Sequence, residues 1–202
     1  MRKFRSVLSL LLAVVVVGCS VIPAFADYDP GFTPQADAIY FVNLDTGKVL
    51  YEKNADKKIY PASTTKIMTA ILVLENVEDL DGPQIELKLY IQNALSGTGA
   101  SLAGILRGDS FTPRQLLYAA LLPSGNEAAM MLADYVGDGS IDYFCEMMNE
   151  KAAEIGAVNT HFSNPDGLHD DDLYTTAYDM YLITKYALEN ETFREIVGTS
   201  YY

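Results

Sequence analysis

The chain has 202 residues, of which 50% are hydrophobic and 20% are charged, a balance typical of globular proteins with enough apolar residues for one good core or two small ones. Its formal net charge of -13 argues against nucleic-acid binding, because phosphate contacts require a basic surface. The two cysteines, Cys19 and Cys145, are too few for a disulfide framework, and we interpret Cys145 as a small core residue.

The first 26 residues have the pattern of an export signal. A basic start and an apolar run precede Ala-Phe-Ala at 24–26, which is typical of signal-peptidase cleavage after Ala26. The apolar run is too short for a comfortable transmembrane helix. A competing interpretation is a bacterial lipobox at 16–19, which would make Cys19 a lipid-bearing N-terminus. Both predict an exported protein, and they leave membrane association open.

We divide the rest into a linker over 27–35 and one folded domain over 36–202. Strand-forming residues on both sides of a turn at Asp45-Thr46-Gly47 predict a β-hairpin. Alternating apolar residues from Ile85 to Ile91 predict a short strand. The glycine-rich stretch 96–104 fits neither the dinucleotide fingerprint nor the phosphate loop, so we interpret it as a surface loop.

Several helices are predicted from residues that can cap them. Thr112 is followed by a proline and then by Gln115 in the third helical position, which is a strong helix start. Ser140 and Thr176 are further predicted caps, and Thr192 is expected to begin the last helical turns.

Ser63 and Lys66 stand at the start of an apolar run with helical spacing, which predicts a buried helix from near Thr64 to about Glu75. Residues three apart share one face of a helix. A partly buried ammonium can lose its proton, and a serine beside such a base is an activated nucleophile. Ser-x-x-Lys alone is nevertheless common, and a capping serine with a solvated lysine explains it more simply.

A second polar motif, Ser124-Gly125-Asn126, interrupts an apolar helical run. Burying a hydroxyl and an amide costs stability unless both find partners. If the motif faces the same cleft as Ser63, the Ser124 hydroxyl can relay a proton to a leaving group, and the Asn126 amide can hold a substrate carbonyl and orient Lys66. A plain loop between two helices is the alternative.

Together these motifs resemble those of the D-alanyl-D-alanine carboxypeptidases, the low-molecular-mass penicillin-binding proteins of bacterial walls. The resemblance extends from about Asp37 to Tyr202 and rests chiefly on residues 61–69, 116–129 and 162–168. It implies a β-lactamase/DD-peptidase-like α+β fold, in which a helical cluster packs on an antiparallel sheet.

The resemblance also implies a mechanism. Ser63 would attack the peptide carbonyl between two terminal D-alanines of a peptidoglycan stem peptide, and Lys66 would accept its proton. Ser124 would relay a proton to the leaving D-alanine, Asn126 would orient the substrate, and the Ser63 N–H would form half of the oxyanion hole. β-Lactams would acylate Ser63 as mimics of the substrate. No metal or organic cofactor is implied, and the family places the protein on the cell-wall side of the membrane.

One departure from the family pattern is the third motif, Lys-Thr-Gly, which does not occur up to Tyr202. We therefore expect an incomplete catalytic domain whose C-terminal sheet strands are missing. The opening hairpin should then lack neighbours and expose an unpaired edge.

Two other functions remain open. The first is a serine β-lactamase-related hydrolase, which Gly125 disfavours because the common class of those enzymes carries Asp at this position. The second is a catalytically inactive truncated fragment. His161 and His169 could indicate a Ser–His system, but we interpret them as loop residues. Asp170-Asp171-Asp172 is interpreted as a solvated acidic loop rather than a cation site.

Overall fold

The structure is a computed structural model that describes residues 31–32, 34–200 and 202. The predicted signal segment, including Cys19 and both cleavage sites, lies outside the described residues, as does most of the predicted linker. Residues 34–202 pack as a single unit. No helix in the described part of the chain is both long and apolar enough to cross a membrane.

Two antiparallel strands form the predicted hairpin near the start of this unit. Strand β1 is Ile39–Asn43 and strand β2 is Lys48–Lys53, and the register shifts once, between Phe41 and Val42. Asn43 closes the turn, since its side-chain oxygen accepts a hydrogen bond from the Thr46 backbone N–H at 2.9 Å.

Helices are the main regular elements of the remaining described residues. A 3-10 turn at Ala62–Thr65 runs directly into the first α-helix, and a second two-stranded ribbon follows later. The α-helices are α1 Lys66–Asn76, α2 Leu89–Leu95, α3 Pro113–Leu121, α4 Asn126–Val136, α5 Ile141–Ile155, α6 Ala177–Ala187 and α7 Glu191–Val197, and the ribbon is β3 Ile85–Glu86 with β4 Ser110–Phe111.

The predicted strand over 85–91 is wrong in its second half. Strand β3 is only two residues long, and helix α2 begins shortly after it. Ile91 and Leu95, four residues apart, are the buried positions of α2, whereas Leu89 is exposed. Helical spacing therefore decides burial here, and the short alternation in the sequence was too brief to distinguish it from a strand.

The capping predictions are confirmed at three helices. Thr112 and Gln115 form a complete capping box at the start of α3, in which each side chain bonds the other residue's backbone N–H. The side chains of Ser140 and Thr176 each accept a backbone N–H at the starts of α5 and α6. Gly156 ends α5 in the left-handed conformation expected of a helix terminus.

The prediction that Thr192 begins the last helix is wrong. Asn190 is the N-cap of α7, because its side-chain oxygen accepts a hydrogen bond from the Phe193 N–H at 3.0 Å. Asparagine is among the best capping residues, and it lies where the chain is still extended.

Helix α1 lies at the centre of the core. It packs against α3, α4, α5, α6 and α7. Met68 and Val73 of α1 are fully buried, as are Met131 and Leu132 of the neighbouring helix α4. Burial of such side chains contributes about 1.5–3 kcal/mol each, so α1 is held firmly. Its first residue, Lys66, is thereby carried into the interior.

The hairpin has a neighbour, contrary to the expectation that it lacks one. Tyr40 of β1 packs against two tyrosines of α6, with ring centroids 5.2 Å from Tyr178 and 5.1 Å from Tyr181. Among the described strands, β1 and β2 pair only with each other. The sheet in this part of the chain is therefore incomplete, as the sequence predicts. One face of the hairpin is thus covered, while its strand edges stay unpaired.

Replacing the cap of α7 should destabilise the fold. We expect Asn190→Ala to lower the free energy of unfolding by about 1 kcal/mol, because the Phe193 N–H loses its acceptor. Thr192→Ala is the matched control and should change it by less than about 0.5 kcal/mol. Urea denaturation measures both, and a larger loss in the Thr192 variant would contradict the assignment.

Candidate active site

Ser63 lies in the 3-10 turn that leads into α1, and it is exposed. The residues at the N-cap positions of the turn and of α1, Pro61 and Thr65, make no side-chain capping bond, and the Ser63 hydroxyl points instead to Lys66. The interpretation of Ser63 as a helix cap is therefore wrong. Its hydroxyl stands at the positive end of an 11-residue helix, where negative charge is favoured.

Lys66 is not solvated either, since it is only 2% exposed. Its amine Nζ has four oxygen neighbours from three parts of the chain. They are the backbone carbonyl of Asp166 at 2.6 Å, the Asn126 side-chain oxygen at 2.8 Å, Ser63 Oγ at 3.2 Å and Ser124 Oγ at 3.3 Å. Three of the predicted site residues, Ser63, Ser124 and Asn126, therefore lie around the amine of the fourth.

Burial lowers the pKa of Lys66 below its ordinary value of 10.5, while the nearby charges of Asp166 and Glu127 raise it in part. The contacts suit the neutral form of the amine. The two nearest oxygens, on Asp166 and Asn126, can only accept, so they take the two N–H bonds of a neutral amine. The remaining lone pair is then available to a hydroxyl that donates, and both serines can do so.

The segment 124–126 reaches the amine through an unusual backbone. Ser124 has a φ of +64°, a left-handed conformation that is uncommon for a residue other than glycine. Asn126 is the first residue of α4, which directs its amide along the helix start toward Lys66. A side chain at Gly125 would not fit, because its Cβ would lie 2.8 Å from the Cβ of Ala103.

The turn 164–167 forms another wall of the site, which the sequence analysis missed. Asn164 shapes the turn by accepting the Gly167 N–H at 2.8 Å. Thr69 of α1 donates to the Pro165 carbonyl at 2.6 Å, and the next carbonyl, of Asp166, accepts from Lys66. The turn touches Lys66 through its backbone, so only its resemblance to the family motif could have marked it.

Gly167 allows this turn to approach the nucleophile's backbone. It has a φ of +85°, and a Cβ built on it would lie 2.0 Å from the carbonyl oxygen of Ala62. Ala62, which directly precedes Ser63, also has a positive φ, of +48°. Left-handed residues other than glycine persist only where the surroundings hold them, and such residues cluster at functional sites.

Asp166 adds a buried carboxyl group beside the amine. It is 2% exposed, and its side chain accepts the Leu168 N–H at 3.0 Å. Burial raises its pKa, whereas the Leu168 N–H, the Lys66 charge and the Asn126 amide oppose this. No ion pair joins the Asp166 carboxylate to Lys66 among the described residues, so the two groups interact through the site rather than by direct contact.

The remaining candidates lie outside this cluster. Among the described residues, neither histidine has a hydrogen bond to Ser63: His161 pairs with the Asp172 carbonyl, and His169 packs on Tyr60. Residues 170–172 are exposed, and no group of three or more potential ligands in the described part of the chain is placed to hold a metal. Cys145 is buried, which raises the pKa of its thiol to about 12 and fits the predicted core role.

Adding a methyl group at Gly167 should be unusually damaging. Gly167→Ala combines a left-handed φ with a clash against the Ala62 carbonyl, so we expect it to lower the free energy of unfolding by about 3 kcal/mol or more. Gly47→Ala is the matched control, because Gly47 has a φ of +66° but an open Cβ position, and it should cost only about 1–2 kcal/mol. Equal losses in chemical denaturation would contradict the close approach.

Comparison with known proteins identifies the family of this chain. Residues 26–202 match the family model described as D-alanyl-D-alanine carboxypeptidase. The chain is 39% identical over 201 residues to the D-alanyl-D-alanine carboxypeptidase of Streptomyces sp. (strain K15), covering 95% of this chain and 66% of that protein. It is 34% identical over 199 residues to the carboxypeptidase DacF of Bacillus subtilis, covering 94% and 50% respectively. It thus spans about half to two thirds of the length of these relatives.

Solved structures agree in fold. The crystal structure of the Streptomyces K15 DD-transpeptidase superposes with a TM-score of 0.78 at 38% identity, covering 85% of this chain and 68% of that one. The carboxypeptidase DacD from Francisella tularensis superposes with a TM-score of 0.75 at 32% identity, covering 89% and 43%. The α+β fold of the DD-peptidases is thereby confirmed for the described residues, and the chain belongs to the D-alanyl-D-alanine carboxypeptidase family.

Proposed function

We propose that this chain carries the acylation site of a serine-type D-alanyl-D-alanine carboxypeptidase that trims peptidoglycan stem peptides. The observation that supports this most directly is the buried Lys66 amine, which lies within hydrogen-bonding reach of Ser63, Ser124 and Asn126. An exposed hydroxyl beside a buried amine with a lowered pKa is the arrangement that an activated serine requires.

Acylation begins at the carbonyl between the two terminal D-alanines. Ser63 Oγ bonds to the carbonyl carbon, and its proton passes to the neutral Lys66 amine. The tetrahedral intermediate then collapses, and the carbon–nitrogen bond breaks. The departing nitrogen takes up the proton from Lys66 through the Ser124 hydroxyl, so the free D-alanine leaves as an amine. Lys66 becomes neutral again, and the rest of the peptide stays on Ser63 as an ester.

Deacylation uses the same groups in the reverse sense. A water molecule gives a proton to Lys66 as its oxygen attacks the ester carbon, and the proton returns to Ser63 Oγ when the ester bond breaks. Asn126 contributes by holding Lys66 in place through its side-chain oxygen. One N–H of its N–H₂ group bonds the Asp166 carboxyl group, and the second N–H is the one proposed to bind a substrate carbonyl. The backbone N–H of Ser63 is the proposed contributor to the oxyanion hole, and removing one such donor typically costs about 3 kcal/mol.

The proposed partners follow from this chemistry. The substrate is a stem peptide ending in D-alanyl-D-alanine, and β-lactams are covalent inhibitors that acylate Ser63. The proposed place of action is the cell-wall side of the membrane, which the export pattern in residues 1–26 and the family membership both support.

Labelling by a fluorescent penicillin tests the acyl-enzyme. We expect the 202-residue chain to be labelled covalently and Ser63→Ala to abolish labelling, because Ser63 carries the more exposed of the two hydroxyls that contact the Lys66 amine. Ser110→Ala is the matched control, since Ser110 is exposed on β4, and its labelling should equal that of the wild type. Gel fluorescence measures the label, and circular dichroism checks that each variant is folded.

Two outcomes would contradict the proposal. Folded wild type that takes up no label would favour an inactive domain. Rapid turnover of nitrocefin without a lasting label would favour a β-lactamase-related hydrolase.

The pH dependence of acylation tests the role of Lys66. The amine accepts a proton only when neutral, so the rate should rise with pH through its pKa. Because burial lowers that pKa, the midpoint of this limb should lie below pH 10.5. Asp166→Asn removes a charge that raises the pKa of Lys66, and the midpoint should therefore move further down. Stopped-flow acylation by a chromogenic β-lactam over pH 5–11 measures it.

The control for this pH profile is Asp142→Asn, an exposed acid in the first turn of α5, which should leave the midpoint unchanged. A midpoint at or above 10.5, or one that moves up in the Asp166 variant, would show that a neutral Lys66 is not the base.

A further inference from the structure

A loop from outside the two motifs is fastened to the backbone of the Ser124-Gly125-Asn126 segment. The Ser101 carbonyl accepts the Asn126 N–H at 2.9 Å. Ala103 lies so close to Gly125 that no Cβ would fit between them. We call residues 101–105 the anchored loop. Its contacts fall on the same residues whose side chains reach the Lys66 amine, so a displacement of the loop is a displacement of Asn126.

Glu127 fastens the other end of this loop. It is 3% exposed and is the second residue of α4. Its Oε1 accepts two successive backbone N–H groups, from Gly104 at 2.9 Å and Ile105 at 3.2 Å. Bonds from N–H groups to an ionised carboxylate are stronger than those between neutral groups. The loop is thus held at Ser101 by the backbone of Asn126 and at 104–105 by the next side chain.

The Glu127 carboxylate is held at a cost. Its other oxygen, Oε2, is buried and has no hydrogen-bond partner among the described residues. A buried, half-satisfied carboxylate is destabilising unless its interactions compensate. A carboxylate with a purely structural role would carry the same energetic cost. Asp179, in the first turn of α6, is such a case: it is also buried, and its Oδ1 has no hydrogen-bond partner among the described residues.

Glu127 and Asp179 differ in what they hold. Asp179 accepts hydrogen bonds from Asn159 and Thr160, and in the described part of the chain neither of these residues hydrogen-bonds Ser63, Lys66, Ser124 or Asn126. Glu127 fixes a loop whose other contacts lie on Gly125 and Asn126. The path from carboxylate to amine is short and continuous: Glu127 to the anchored loop, the loop to the Asn126 backbone, and the Asn126 side chain to Lys66 Nζ at 2.8 Å.

We propose that Glu127 is a positioning residue for the acylation of Ser63, which holds the anchored loop against Ser124-Gly125-Asn126 and so keeps the Asn126 amide on the Lys66 amine. This inference rests on the proposed function for its kinetic consequence. Its structural part, the coupling of the Glu127 carboxylate to the Asn126 amide, stands on the contacts alone. A misplaced orienting group of this kind slows a reaction without touching the reacting atoms.

The test compares three variants in the 202-residue chain. Glu127→Ala removes the acceptor for the anchored loop. Glu127→Gln keeps an acceptor oxygen but removes the charge. Asp179→Ala is the matched control, a buried first-turn acid that fastens a different loop. Hydrogen exchange at the amides of Gly104 and Ile105, the NMR signal of the Asn126 side-chain amide, and the rate of acylation by a fluorescent penicillin are measured on each folded protein.

The expected pattern separates positioning from general stability. In Glu127→Ala the two loop amides should lose protection, the Asn126 signal should move, and acylation should slow about tenfold to hundredfold. Glu127→Gln should restore all three readouts to within about threefold of the wild type, because the acceptor remains. Acylation rates are compared on the high-pH plateau of each variant, because loss of the Glu127 charge lowers the pKa of Lys66. Asp179→Ala should lower the melting temperature and leave the three readouts near wild type.

Three results would overturn the proposal: normal acylation in Glu127→Ala, an equal kinetic loss in Asp179→Ala, or failure of Glu127→Gln to rescue. A wild type that takes no label would contradict the proposed function but not the positioning role. Hydrogen exchange and the Asn126 signal would still show whether Glu127 holds the anchored loop against residues 124–126. An unmoved Asn126 signal in Glu127→Ala would then reject the positioning role.

Discussion

The burial of one amine is the constraint on which the rest of the site depends. Lys66 is almost wholly enclosed, and removing a lysine head group from water is expensive unless it becomes neutral or finds acceptors. Here both responses act together, since its pKa is lowered and its N–H bonds meet the oxygens of Asp166 and Asn126. The same enclosure that makes the lysine costly to bury makes it a base that can act on the neighbouring hydroxyl.

Enclosing the amine requires backbone as much as side chains. The turn 164–167 contributes a carbonyl, and Gly167 lets that turn press against the residue before Ser63. Two non-glycine residues, Ala62 and Ser124, adopt left-handed conformations next to the hydroxyls that face Lys66. Such conformations cost about 1–3 kcal/mol each, and the well-packed helices α1 and α4 supply the rigidity that maintains them.

Charge near the amine is arranged without a direct ion pair. Asp166 and Glu127 are both buried, and both raise the pKa of Lys66 against the larger effect of burial. A carboxylate in contact with the amine would favour its protonated form, so less of the amine would be neutral and able to accept a proton. Each carboxylate instead binds backbone N–H groups of a nearby segment, which gives each a structural task. Electrostatics and loop geometry are thereby linked in the same two residues.

Local features of the fold could be predicted because neighbouring residues cause them. The hairpin turn and the caps at Thr112, Ser140 and Thr176 arise from side chains that bond the backbone two or three residues away. The same reasoning failed at residues 89–91, where burial on one side of α2 outweighed a brief alternation, and at Thr192, where Asn190 was the better cap. In both cases two local signals competed, and the tertiary environment chose between them.

For the site, the sequence by itself determined the residue types and their spacing: a serine and a lysine one helical turn apart, a Ser-Gly-Asn break between two helices, and family membership. It could not distinguish a solvated lysine from a buried one, since burial depends on the five helices around α1. The sequence also could not predict the hydrogen bond from Lys66 to the Asp166 carbonyl, or the hydrogen bonds from the backbone N–H groups of residues 104–105 to Glu127. Backbone groups are the same at every position, so they carry no sequence signal. Only the tertiary structure decided which of these groups meet, because contacts between residues 23 to 100 positions apart are set by packing rather than by local preference.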